Sequence, residues 1–178
     1  MADYTFSTPS GQTIARETLI VYLNTGSSTS ATWSPLGART EESSVEYDWN
    51  TETVKDILGK TYGTMRKPIL TQTFDPAKIT NGDAALKKIW DLAVVAQDAQ
   101  GLANLDMLIV HLYTTDGDTT APASFAERYS ACMAAPTGLG GPGGGDINMP
   151  IEVTFGGDRT LGTATVSSAG VVTFTADT

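Results

Sequence analysis

The chain has 178 residues, enough for one domain with a core of its own. It carries 20 Asp and Glu against 11 Lys and Arg, a net charge of −9, which argues against a surface that grips nucleic acid by its phosphates. A single cysteine excludes an internal disulfide and fits a reducing compartment.

Residues 1–17 are polar, with Pro9 and Gly11, and read as an extended arm. Their start has neither the basic nor the apolar stretch of a signal peptide, and none is expected. The longest apolar runs, Leu19–Leu23 and Met107–Val110, are too short to span a bilayer, so no membrane partner is expected. Thr18–Leu23 is the first strand and ends in a turn cluster at 24–30; Thr32–Gly37 follows, with Pro35 marking an edge or a bend. Ser43–Trp49 alternates with period two and predicts a half-buried strand. Residues 50–67 form an inserted hairpin, and Ile69–Phe74 is the next strand. Asp75-Pro76 reads as a cap and first turn of a brief helical segment.

One stretch has helical period. In Asp83–Gln97 the residues Leu86, Ile89, Trp90, Ala93 and Val94 fall at i, i+3, i+4, i+7 and i+8, one apolar stripe for the core. Asp83 is the expected cap, and Gly101 the expected stop. Asp106–Tyr113 is the most apolar strand, and Ser124–Met133, beyond a polar turn at 114–122, pairs with it antiparallel. The glycines of 138–146 make a flexible loop. Asn148–Phe155 is a strand that Gly156-Gly157 folds into a hairpin with Arg159–Val166, and a second hairpin turns at Ser167–Gly170. The fold class is α+β, mainly β: a β-sandwich or rolled antiparallel sheet with one flanking α-helix, residues 18–178 forming a single domain.

No residue set points to catalysis, and no cofactor or metal is expected. The glycines of 138–145 lead into a strand and lack the Gly-Lys-Ser/Thr ending of a phosphate loop. Asp116, Asp118, Thr120 and Glu127 match positions one, three, five and twelve of a calcium loop, but Ala121 stands where its glycine belongs and both flanks read as strands. His111 is the only histidine and reads as a strand-facing imidazole; Cys132 reads as a buried small residue. Glu46, Asp48, Glu52 and Asp56 sit on alternating polar positions and read as a solvated face rather than paired catalytic acids.

Three phrases carry a family resemblance: Val45-Glu-Tyr-Asp-Trp49, Thr51-Glu-Thr-Val-Lys-Asp-Ile57 and Gln72-Thr-Phe-Asp-Pro76, followed by one helix and a long strand pair. The chain resembles the major tail (tail tube) proteins of long-tailed, siphophage-type bacteriophages and prophages over roughly residues 15–175. The resemblance implies a virion tail component made in the host cytoplasm, whose copies form hexameric rings stacked into a hollow tube for DNA ejection. It implies tail tip, tape measure and tail terminator proteins as partners, with the genome passing through the lumen unbound. Glu46, Asp48, Asp116 and Glu127 are then candidates for an acidic lumen wall, and Lys55, Lys60, Arg66 and Lys67 for ring-to-ring contact. Two other readings stand beside it: the inner tube of a contractile tail or secretion apparatus, and a β-sandwich module that binds carbohydrate through Trp33, Trp49 and Tyr62.

Overall fold

The structure is a computed structural model that describes residues 4–27, 29–118 and 122–177. Its strands in chain order are β1 (Thr5–Phe6), β2 (Leu19–Asn24), β3 (Trp33–Leu36), β4 (Val45–Asp48), β5 (Glu52–Lys55), β6 (Thr61–Thr64), β7 (Ile69–Phe74), β8 (Leu105–His111), β9 (Thr114–Thr115), β10 (Ser124–Pro136), β11 (Ile151–Phe155), β12 (Arg159–Val166) and β13 (Val172–Ala176). Helices α1 (Ala84–Trp90) and α2 (Ala99–Leu102) flank a π turn at Asp91–Val95. The class is α+β, mainly β, with curled antiparallel sheets.

Two sheets share β10. The first runs β3-β2-β8-β10-β12-β13 and uses the N-terminal half of β10; the second runs β10-β11-β7-β4 and uses Met133–Pro136. The change of sheet has a local cause. Tyr129 pairs with Met107 and Cys132 with Leu105, so β10 carries one residue more than β8 across that interval, a bulge that bends the strand and reverses its alternation. Phe125, Glu127 and Tyr129 face inward before the bulge; Cys132 and Ala134 do so after it, and Met133 turns out to solvent. On the facing chain the corner is Gly156–Asp158. Gly157 has φ +74, and a Cβ there would sit 2.7 Å from the Ala131 amide, so only glycine passes this close to the bulge.

The expected 156–157 hairpin is therefore a corner. β11 and β12 do not pair with each other but follow one another along β10, one in each sheet. The hairpin between β12 and β13 does form, closed by Gly170 N–H donating to the Ser167 carbonyl. No helical turn forms after Asp75-Pro76, because the backbone of 77–79 pairs with 147–149 instead, Met149 N–H donating to the Ala77 carbonyl and Ile79 N–H to that of Ile147. In the arm, β1 pairs with β9. β4 is mostly exposed rather than half-buried, since it is the last strand of its sheet.

The core lies between the sheets. Val21, Leu23, Met107 and Ile109 of the first sheet meet Leu70, Phe74, Ile151 and Val153 of the second, and α1 adds Ala85, Leu86 and Ile89. A smaller cluster, Tyr22, Trp33, Leu108, Val110 and Ala164, sits on the other face of the first sheet. Asp83 caps α1 as expected, its Oδ1 accepting from Leu86 N–H at 2.9 Å. The helix then departs from the expected stripe. Ala96 N–H donates to Asp91 O, an i to i+5 bond, and the extra residue in that turn rotates the face. Leu92 packs on the core, Ala93 is half-buried and Val94 points to solvent. Gly101 lies inside α2 rather than ending a helix.

The register makes a paired test. Ile89→Ala removes a fully buried side chain and costs about 2–5 kcal/mol in denaturant unfolding. Val94→Ala stays within about 0.5 kcal/mol of the parent, as an exposed site should; equal losses at the two positions would contradict the π turn.

Candidate assembly surface

The second sheet leaves one face uncovered. Alternation puts Leu70, Gln72, Phe74, Ile151, Val153 and Ala134 on the core side. The outer side carries Glu46, Asp48, Thr71, Thr73, Glu152, Thr154, Met133 and Ala135 in rows: Glu46, Thr71, Thr154 and Met133 across one, Thr73, Glu152 and Ala135 across another. Ile69, opposite Asp48, faces out as well; threonines and carboxylates thus share this face with Ile69, Met133 and Ala135, and none of these residues is a cation. Glu46 and Asp48 were expected on an acidic wall and lie on this face; Glu152, which shares it, fell on an alternating strand position that the sequence phrases did not single out. Asp116 is elsewhere. It follows β9, half-buried, and its Oδ1 accepts from Asp118 N–H at 3.1 Å and Ala123 N–H at 3.2 Å. Thr120, the remaining short-range member of the calcium-loop pattern, is outside the described residues.

Both edges of this sheet lack a strand partner among the described residues. β4 bonds only to β7, and beyond Cys132 the tail of β10 bonds only to β11. From the end of β4 the chain runs out into the β5–β6 hairpin, a two-stranded sheet whose eight strand residues are all exposed. Lys55, Lys60, Arg66 and Lys67 are exposed on or beside it, and Arg66 makes one surface pair with Glu52 at 3.7 Å.

Glu127 does not belong to an exposed wall. It faces the core side of β10 and is 3% exposed, against the expectation of a lumen position. Its Oε1 is 2.9 Å from His111 Nε2, and its Oε2 accepts from Tyr129 Oη at 2.9 Å and Arg159 Nε at 2.6 Å. His111 Nδ1 lies 2.7 Å from Tyr113 Oη, so both ring nitrogens have protein partners. A carboxylate buried here is tolerable only because it is paired and fully hydrogen-bonded. Above it Tyr47, Trp49, Phe155 and Lys67 line a cavity of about 650 Å³. Tyr47 and Trp49 stack with centroids 6.1 Å apart. The three aromatic residues weighed for a sugar platform are dispersed: Trp33 is buried beneath Arg128, Trp49 is at this cavity and Tyr62 is on the hairpin. Cys132 is fully buried, and burial pushes its thiol up to about 12.

Burial by itself raises the Glu127 carboxyl, but hydrogen bonds from His111 and Arg159, the Arg159 charge and Tyr129 outweigh it and bring the group from 4.5 down to about 2. A carboxyl lowered in the folded state stabilises fully above its unfolded value and loses that contribution as pH falls. The window runs from about pH 4.5 down to about pH 2. Glu127→Gln therefore lowers unfolding free energy at pH 7 by about 3 kcal/mol and flattens its decline across that window. Parallel pH–stability curves for parent and variant would contradict the network.

No family model matches the chain, and no curated protein is matched. It is similar to several solved chains, three of which are components of contractile injection systems and related particles. One comes from the PVC sheath/tube terminator of an extracellular contractile injection system in its extended state, at 14% identity and a TM-score of 0.48, covering 86% of this chain and 99% of that one. Another comes from the PVC sheath–tube complex in its extended state, at 14% identity and a TM-score of 0.48, covering 86% and 94%. The third comes from the tube-terminating cap of the anti-feeding prophage, at 18% identity and a TM-score of 0.46, covering 89% and 96%.

Proposed function

We propose that this chain is a structural tail tube subunit that polymerises with copies of itself, of the siphophage kind its sequence phrases resemble. The second sheet carries the reading: four strands, a core on one face, the other face open, and, among the described residues, two edges without strands. Four is an even number, and every neighbour in this sheet is antiparallel. A rotated copy therefore presents the tail of its β10 antiparallel to β4, and the alternation continues across the joint. Repeated around an axis, the sheets close into one barrel and the edges vanish. Six copies, the ring number the resemblance implies, give 24 strands.

The packed face then points outward and the uncovered face lines the bore. Glu46, Asp48 and Glu152 make that lining acidic, and Thr71, Thr73, Thr154, Ile69, Met133 and Ala135 leave the rest of it uncharged. Such a wall repels phosphates, so DNA slides rather than sticks. The hairpin joins ring to ring, and tail tip, tape measure and terminator proteins complete the ends. A sheath-protein gene beside this one would move the reading to a contractile tail.

Negative-stain microscopy of the purified chain, alone and with preformed tail tips, is expected to show rings or hollow tubes. A strict monomer in both conditions at high concentration would overturn the proposal. Tubes carrying Glu46→Lys, Asp48→Lys and Glu152→Lys together should retain a labelled DNA duplex on pelleting and release it as salt rises, while parent tubes leave it in solution. Equal retention by both would remove these residues from the lining.

A further inference from the structure

The β5–β6 hairpin is a surface waiting for a cover. A two-stranded ribbon with no second layer is marginal in water, yet this one has a built turn. Asp56 Oδ1 accepts from Leu58 N–H at 2.9 Å and Lys60 N–H at 2.8 Å, Asp56 N–H donates to the Lys60 carbonyl, and Gly59 takes φ +80. The turn is thereby set in advance, and it holds Ile57 fully and Leu58 79% exposed between Lys55 and Lys60. Adjacent apolar side chains fixed in solvent are a feature of interfaces.

At the opposite end of the β4–β7 ladder, before β4 starts and after β7 stops, a groove of about 570 Å³ opens between the sheets. Leu19, Val21, Leu36 and Phe74 line it, with Glu17 and Glu41 also on its wall. Gln72, 3% exposed, lines it as well, and its Oε1 has no partner. A smaller polar groove sharing Ser43 adds Glu42, Glu46 and Asp75. Arg16 also lines the main groove, but its guanidinium donates to the Ser43 and Leu19 carbonyls. Carboxylates dominate this end, as cations dominate the hairpin.

We infer that the groove receives the Ile57-Leu58 turn of a second copy, with Lys55 and Lys60 against Glu17 and Glu41. This rests on the tube reading and names its ring-to-ring acceptor. The β4–β7 ladder lies between a chain's own hairpin and its own groove, so the occupant is another molecule. A contact between two different surfaces repeats head to tail and builds a filament.

The test mixes full-length copies carrying Leu58→Cys with copies carrying Ala38→Cys, an exposed residue of the groove, under mild oxidation. Buried Cys132, its thiol pushed up to about 12, stays out of the exchange. A mixed disulfide on a non-reducing gel is expected. Its yield should fall about tenfold on adding Lys55→Glu and Lys60→Glu to the hairpin copy, and recover when the groove copy carries Glu17→Lys and Glu41→Lys. Microscopy of the parent, which carries neither added cysteine, runs alongside. Tubes without the mixed disulfide overturn this contact and leave the tube reading standing. The disulfide without tubes keeps the contact and overturns the tube. Neither one overturns both.

Discussion

Everything about the open sheet follows from one strand changing partners. β10 runs 13 residues, longer than either sheet uses by itself. Its bulge after Tyr129 and the glycine corner at 156–158 fit one another: Ala131 N–H donates to the Gly156 carbonyl at 3.2 Å, and Asp158 N–H to Ser130 Oγ at 3.1 Å. β8 begins at Leu105, opposite Cys132, with α2 just before it, so beyond Cys132 that edge of β10 has no strand and is left for a neighbouring copy. The same bend folds the second sheet over the first, so that Cys132, Ala134 and Val153 close onto Met107 and Leu105. The strand that closes the core is thus also the one whose tail is left with an open edge.

Much of this was legible residue by residue. Strands with clean period two or an unbroken apolar run, such as Ile69–Phe74 and Leu105–His111, fell where periodicity puts them. Pro35 marked an edge or a bend, and β3 is an edge. What the pattern did not show were the places where the period itself changes. In β10 the inward set shifts from odd to even numbers at the bulge, and in the helix the π turn replaces Ala93 and Val94 by Leu92. Each inserts one residue, and a periodic reading carried through an insertion names the wrong face. The aromatic and acidic residues of Val45–Trp49 alternated correctly, but only the finished sheet shows that the strand is terminal and hence exposed.

The candidate acidic wall shows the same limit in electrostatic form. Glu46 and Glu127 are alike in sequence terms, single carboxylates on alternating strands. Their surroundings separate them. Glu46 stands on the outer face beside Thr71 with water around it, whereas Glu127 is enclosed and bound by Tyr129, Arg159 and His111. Two of its three partners come from β8 and β12, 16 and 32 residues away, which no local pattern reveals. Glu127 holds β8, β10 and β12 together; Glu46 is available to a bore.

A chain with open edges must still avoid pairing with itself in the wrong way, and the outer rows supply a reason. If β4 met β4 of another copy, Glu46 and Asp48 would stand opposite like charges, which is unfavourable for directly facing strand residues. The tail of β10 instead offers Met133 and Ala135 on that same face, neutral neighbours for both carboxylates. Pro136 ends that tail, so the accepting edge is short and has a fixed stop. Attraction between the correct edges is backbone hydrogen bonding, which is blind to sequence; the carboxylates contribute the discrimination by penalising the symmetric alternative. The charge that would keep DNA off the wall thereby also directs the wall to close in one sense, β4 onto β10, all the way round.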